Sequence, residues 1–299
     1  MLNLFRKDTL TPQTDRIYKV PLCIQDTIPI YRIAENGIFE LESPTNKDGG
    51  KKKLHQFDRM YLFEDINFST QDEEEKEETG KRFETLLRSM NVSYKIIVSN
   101  HYADNGKLRE EIMQKAVSKE REPLAREYHQ MIEERLQEGR GGLLQSKYFI
   151  VTCRKPDYES AKNYFNTIEF SIQQLFHRLG SCLIPLDATE RLRALHSYYR
   201  MGDEASFSFD WNEYLHLKRD WRNDIINTSL REYPEHLEME GGNCACVMFI
   251  RKYPNGLTDQ FLNELTNMNF PLIYTMDVEP LDNDVACLLY TSDAADDLI

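Results

Sequence analysis

No stretch of this 299-residue chain approaches the roughly 18 to 20 consecutive apolar residues of a membrane-spanning helix. The opening MLNLFRKDTLTPQTDR lacks an apolar core of signal-peptide length. Together these predict a protein that is not integral to a membrane, and they leave docking on a membrane complex open. Basic charge is also short. The net charge is −13, and so acidic a surface repels a phosphate backbone, so no direct nucleic acid binding is expected beyond a local basic patch.

Cysteine is scarce and scattered. Cys23, Cys153, Cys182, Cys244, Cys246 and Cys287 mostly sit in apolar runs, the pattern of reduced, core-filling thiols in a cytosolic compartment. Cys244 and Cys246 alternate with Ala245 and Val247, so both would face one side of a strand. A zinc site needs about four ligands, and no second Cys or His pair stands at tight spacing. The structural reading of this pair is therefore preferred.

Catalytic motifs are missing too. A Walker A loop needs two glycines so that backbone N–H groups can wrap phosphates, then Lys and a hydroxyl residue. Gly50-Lys51, Gly80-Lys81 and Gly106-Lys107 have neither the upstream glycine nor a following Ser or Thr. GRGG (Gly139–Gly142) lies between a helix pattern and a strand pattern, the reverse of the order in a phosphate cradle. H-E-x-x-H and G-x-S-x-G are absent. No catalytic, cofactor-binding or metal-ligating residue can be named, and the chain is not expected to be an enzyme by itself.

What is present is regular structure. DTIPIYRIA and IFELES flank Asn36-Gly37 and predict a hairpin, an early subdomain over residues 18–66. PTNKDGGKKKLHQFD reads as a polar loop in which Lys51, Lys52 and Lys53 form a solvated tip. RMYLFEDINF is a strand, TQDEEEKEETGKRFETLLRSM a helix with its acids Asp72–Glu78 in the first turns, and SYKIIVS the next strand. Between Pro123 and Gly139, Leu124, Tyr128, Met131, Ile132 and Leu136 share one helical face.

KYFIVTCRK is a strong strand. The helix after it starts near Asp157, carries the stripe Ala161, Phe165, Ile168, Ile172, Leu175, Phe176 and Leu179, and stops at Gly180. His177 beside that stripe reads as a partly buried structural histidine, not a base. After the short strand SCLIPL, Asp187 and Glu190 form a capping box, and Leu192, Leu195 and Tyr199 face inward. Phe207, Phe209, Trp211, Tyr214 and Trp221 then occur among charges that include Lys218, Arg219 and Arg222, a pattern that favours core packing or a protein interface over base stacking. CACVMFIRKY, GLTDQFLNELTNM and FPLIYTMDVEP close the chain as strand, helix and strand. The expected fold class is α+β or α/β, with mixed sheets built from repeated strand–helix–strand units and amphipathic helices packed on them.

Several stretches, in order, resemble a known family. QDTIPIYRIAENGIFEL, YLFEDINFS, LGSCLIPLDATERLRALHSYYR and VMFIRKYPNGLTDQFLNEL are similar to the N-terminal region of the TraE/TrsE/TraC-type conjugal transfer ATPases of type IV secretion, from conjugative elements of Gram-positive gut bacteria. The likeness runs over roughly residues 18 to 286, and LDATERLR with its YYR is the most specific piece. The resemblance implies a cytoplasmic protein peripherally associated with the cell membrane, helping to assemble a DNA-transfer channel with other secretion subunits. In that family a RecA-like motor follows, binding ATP and Mg and forming a hexamer. The motor's motifs are not in this chain, so no cofactor and no catalytic residue carry over. A stand-alone interaction or scaffold module is the alternative.

The last residues, CLLYTSDAADDLI (Cys287–Ile299), break the pattern. CLLYTSDAAD back-translates to a string resembling a transposase mosaic-end adapter of sequencing libraries. The apolar triplet is too short for a helix face, and Asp293, Asp296 and Asp297 leave little to bury. The expectation is a gene cut before its motor, with residues 1–286 native, 287–299 adapter-derived and outside the fold, and Leu288, Leu289 and Tyr290 exposed.

Overall fold

Strands β1 (Ile30–Ile33) and β2 (Ile38–Leu41) form the expected hairpin, with Arg32 opposite Glu40. The connection is longer than a two-residue turn. Gly37 N–H donates to Ala34 C=O at 2.9 Å, and Gly37 alone takes a positive φ, +81°. Asn36 does not share that conformation; its Oδ1 instead accepts from Ile38 N–H at 3.3 Å and from the Tyr158 hydroxyl at 3.1 Å. In this computed structural model the described residues are 24–41, 54–66, 68–102, 143–201, 203–226, 229–239, 243–250 and 259–281. Lys51, Lys52 and Lys53, the 123–139 helix pattern, GRGG, Cys23, Cys287 and the 287–299 tail all lie outside them.

The hairpin is continuous with a seven-stranded sheet of order β1-β2-β3-β5-β4-β10. Its other strands are β3 (His55–Phe63), β4 (Tyr94–Tyr102), β5 (Leu143–Lys155), β6 (Leu183–Pro185) and β10 (Leu272–Val278). β3 starts earlier than its sequence suggests: His55–Asp58, read above as loop, pair with β5 from Lys155 to Thr152. β2 and β6 lie end to end along one edge of β3, β2 opposite Gln56–Arg59 and β6 opposite Tyr61–Phe63. Every described ladder is antiparallel, which decides for α+β and replaces the expected mixture of strand directions.

Alternation along β3 and β5 gives the sheet two unlike faces. Phe57, Tyr61, Phe149, Val151 and Cys153 point to one face and are buried under α1 (Glu73–Ser89) and α2 (Tyr158–Leu179). The α2 stripe behaves as its spacing predicts. Ala161, Phe165, Ile172 and Phe176 are buried, and Phe176 meets Phe149 edge-on with ring centres 5.2 Å apart. Each such side chain contributes about 1.5 to 3 kcal/mol through burial. Both helices start as read: Asp72 closes a capping box with Glu75, Asp157 accepts from Ser160 N–H at 2.8 Å, and Gly180 ends α2 at φ +89°.

Met60, Ile97, Tyr148 and Ile150 point to the opposite face, where α3 (Ala188–Tyr199) packs. At the hairpin end, Phe39, Leu192, Trp221 and Ile225 form a further cluster with α5 (Arg222–Ile225). Phe207, Phe209, Trp211 and Tyr214 pack against this cluster, so the aromatic segment serves the core. α4 (Trp211–Leu217) carries two of these rings, and Trp211, Tyr214 and Phe209 meet one another with centres 5.3 to 6.1 Å apart.

The C-terminal region departs from expectation at CACVMFIRKY. Of its described residues, Cys244–Ala245 (β9) alone are strand, in a small sheet with β7 (Leu230–Glu232) and β8 (Leu237–Met239). β8 pairs with no more than those two residues, and Val247, Met248 and Phe249 then run exposed without a ladder. Apolar composition favours a strand, but a strand also needs a neighbour to pair with. The final helix, α6 (Asp259–Thr266), is held at its C-terminus by Asn100 and Gln145, whose side-chain amides each donate to Thr266 C=O at 2.8 Å.

Candidate functional site

The α3 start joins the hairpin, β3 and α3 at one point. Asp187 accepts from Glu190 N–H at 2.8 Å, and Glu190 returns a bond to Asp187 N–H at 2.9 Å. This box sets Arg191 one turn into the helix, buried and facing the sheet. Its Nη2 donates to Asp58 Oδ1 at 2.9 Å, and Nη1 donates to Gly37 C=O at 2.7 Å. The guanidinium lies 3.8 Å from the centre of the Phe39 ring. One side chain thus ties hairpin, β3 and α3 together. Glu35 C=O accepts from Ala188 N–H at 3.1 Å, and a Cβ on Gly37 would stand 2.0 Å from Leu186 C=O. Sequence reasoning placed this helix and its cap but gave Arg191 no role; an arginine on the inward side of a capped helix was the available signal.

Burial pushes the Asp58 carboxyl up from its ordinary range, opposed by the Arg191 charge and hydrogen bond. The pair faces a cleft of about 800 Å³ between α3 and the sheet. Met60, Ile97 and Ile150 form its floor, and Leu195, Tyr198 and Tyr199 of α3 form one wall. Lys95 and Asp277, joined at 3.1 Å, stand at the β4–β10 side, with Glu279 just beyond. Arg154 is exposed at the other end and forms no ion pair among the described residues. Apolar and charged side chains both line it. Arg191 Nε has no hydrogen-bond partner among the described residues.

Other charged groups serve local structure. Glu40 is buried and accepts from Arg32 Nε and pairs with His55 Nδ1, each at 2.6 Å. The acidic run of α1 is absorbed in its own helix, through Glu77 with Lys81 at 2.7 Å and Glu78 with Arg82 at 2.6 Å. Arg219 pairs with Asp224 and Arg222 with Asp220, so these cations are neutralised in place. Lys218 ends α4 in the left-handed region, at φ 50°.

Two expectations about single residues are corrected. His177 is exposed, because it falls on the outer side of α2 rather than beside the buried stripe. The cysteines are not uniformly core-filling: Cys153 is buried, but Cys182, Cys244 and Cys246 are exposed. Burial raises the Cys153 thiol to about 12. Among the described residues the buried histidine is His196 of α3, to which sequence reasoning gave no role. Desolvation and the nearby Arg200 lower it to about 4, and Ser206 Oγ lies 3.4 Å from its Nε2. Among the described residues no group of three or more His, Cys, Asp or Glu is placed to hold a metal ion, and no helix is long and apolar enough to cross a membrane.

No protein-family model matches the chain, and no curated protein matches it.

Proposed function

We propose that this chain is the N-terminal, protein-docking part of a conjugal transfer ATPase of type IV secretion. It works at the inner face of the membrane among other secretion subunits and has no catalytic role of its own. The observation that carries the reading is the ordered series of family-like stretches from QDTIPIYRIAENGIFEL to VMFIRKYPNGLTDQFLNEL. Support comes from what the most specific stretch does. In LDATERLR, Asp187 and Glu190 cap α3, Arg191 pairs with Asp58, and Leu192 is buried. Those are roles in building a fold, which is what a shared non-catalytic domain would share. The open cleft beside them is a surface on which a partner can dock.

The uninterrupted gene tests this reading. A P-loop domain in frame beyond this region is expected; a native stop codon with no motor would overturn it and favour a stand-alone scaffold. Calorimetry with ATP and Mg is the second arm. This chain should show no saturable binding, and a micromolar Kd would overturn the assignment of nucleotide chemistry to a motor domain.

A further inference from the structure

The cleft has an unfinished wall. β4 begins at Tyr94, opposite Val151, and β10 stops at the same level, with Val278 opposite Tyr94. β5 runs on to Lys155, paired only with β3 on its other side. Thr152 N–H still donates to Ser93 C=O at 3.1 Å, on the β4 side. In an antiparallel ladder the N–H and C=O of one residue point to the same neighbour, and the direction alternates along the strand. Arg154 N–H and C=O therefore point to the β4 side as well, where β4 has ended, whereas those of Cys153 point to β3. Met60 C=O, which accepts from Leu186 N–H on the far side of β3, fixes the same alternation independently. Among the described residues no backbone group bonds Arg154 on its open side.

The charges around this gap are uneven. Asp58 is held by Arg191 and Asp277 by Lys95. Glu279 leaves β10 on the far side of the gap, beside Pro280, which has no N–H to donate. Arg154 sits on the edge itself, exposed and without an ion pair among the described residues.

We propose that the gap beyond β4 is a strand-addition site for an extended segment of a partner protein. The segment places an acidic side chain beside Arg154 and apolar side chains in the cleft. The free edge is short and supplies the two backbone bonds of Arg154, so register comes from the edge and most of the affinity from the half-buried apolar side chains of Leu41, Leu195 and Tyr199 that line the cleft. The inference concerns the fold alone and stands whether or not the secretion reading holds.

The test uses the full chain and three fluorescent hexapeptides: Ser-Val-Ser-Glu-Ser-Val, in which the glutamate and both valines share one face of an extended strand, the same peptide with every backbone amide N-methylated, and the same peptide with lysine in place of glutamate. Anisotropy should show saturable binding of the valine–glutamate peptide. N-methylation should weaken it by about tenfold, the worth of one lost backbone hydrogen bond. Arg154→Glu, an exposed change that leaves the core untouched, should reverse the preference between glutamate and lysine. Amide exchange by NMR reads the edge directly. In the free protein Arg154 should exchange fast while Cys153 is protected, and saturating valine–glutamate peptide should slow Arg154. Failure of that peptide to bind, indifference to N-methylation, a preference for lysine, or an Arg154 amide already protected in the free protein would each overturn the proposal.

Discussion

Under α1 and α2 the large sheet meets a layer of rings and aliphatic side chains, whereas under α3 the same strands present Asp58, Lys95 and Thr152 and part of the face stays open. The first face is closed by α2, whose stripe matches the sheet, with Leu86 of α1 packed into the same cluster. Tyr61 and Cys153 are both pushed up by burial. The second face receives one helix of twelve residues and a buried ion pair. Desolvating two charges offsets most of their attraction, so such a pair adds little net stability over a well-packed apolar substitute. What it adds is position: Arg191 reaches the hairpin and β3 at once. The comparison separates a face that holds the fold together from one that has surface to spare for a partner.

The sharpest way to break the comparison is Gly37→Ala. The new methyl would meet Leu186 C=O at a backbone position that cannot yield, in a conformation that L-residues avoid. A loss of about 4 kcal/mol or more is expected by urea denaturation, among the largest values seen for single changes. A loss below about 1 kcal/mol, the typical value for a point change, would mean that the hairpin is not seated on the α3 junction as described.

Arg191→Ala should follow at about 3 to 5 kcal/mol, because it leaves the Asp58 carboxylate buried and unpaired. The double change Asp58→Leu with Arg191→Met should recover most of that loss. On the closed face, Phe165→Ala should cost a similar 3 to 5 kcal/mol through a cavity. The distinction between the faces fails if the double variant is no more stable than Arg191→Ala.

The smallest effect is set by pH. His196 titrates at about 4 in the fold and near 6.5 when unfolded. Between those values the unfolded chain holds a proton that the native chain excludes, so stability falls as pH drops from 6.5 to 4. The expected contribution is on the order of 2 to 3 kcal/mol. Asp58, raised by burial, acts in the opposite sense. The difference between the parent and His196→Asn, followed from pH 7 to pH 4, isolates the histidine; parallel curves would show that His196 is solvated in the native state.

Much of the closed face was legible in the sequence because its signals are local. The α2 stripe, the Asp157 start and the Gly180 stop all follow from spacing within one element. His177 was misjudged by one position around the same helix, since a stripe's edge depends on how the helix is rolled against the sheet. The run from Cys244 to Ile250 was misjudged for a different reason: apolar composition is local, but a strand exists only where another strand pairs with it.

By itself, then, the sequence determined the elements: the capping box of Asp187 and Glu190, the left-handed glycines Gly37 and Gly180, and the period-two and helical patterns that narrow the fold to α+β or α/β. Only the tertiary structure decided the strand order, the antiparallel ladders, the pairing of Arg191 with Asp58 and the cleft that ends at Arg154. The physical reason is range. Caps and periodicities are settled by neighbours within a few residues, whereas Arg191 lies 133 residues from Asp58 along the chain, and nothing local to either side chain says that folding will bury them together.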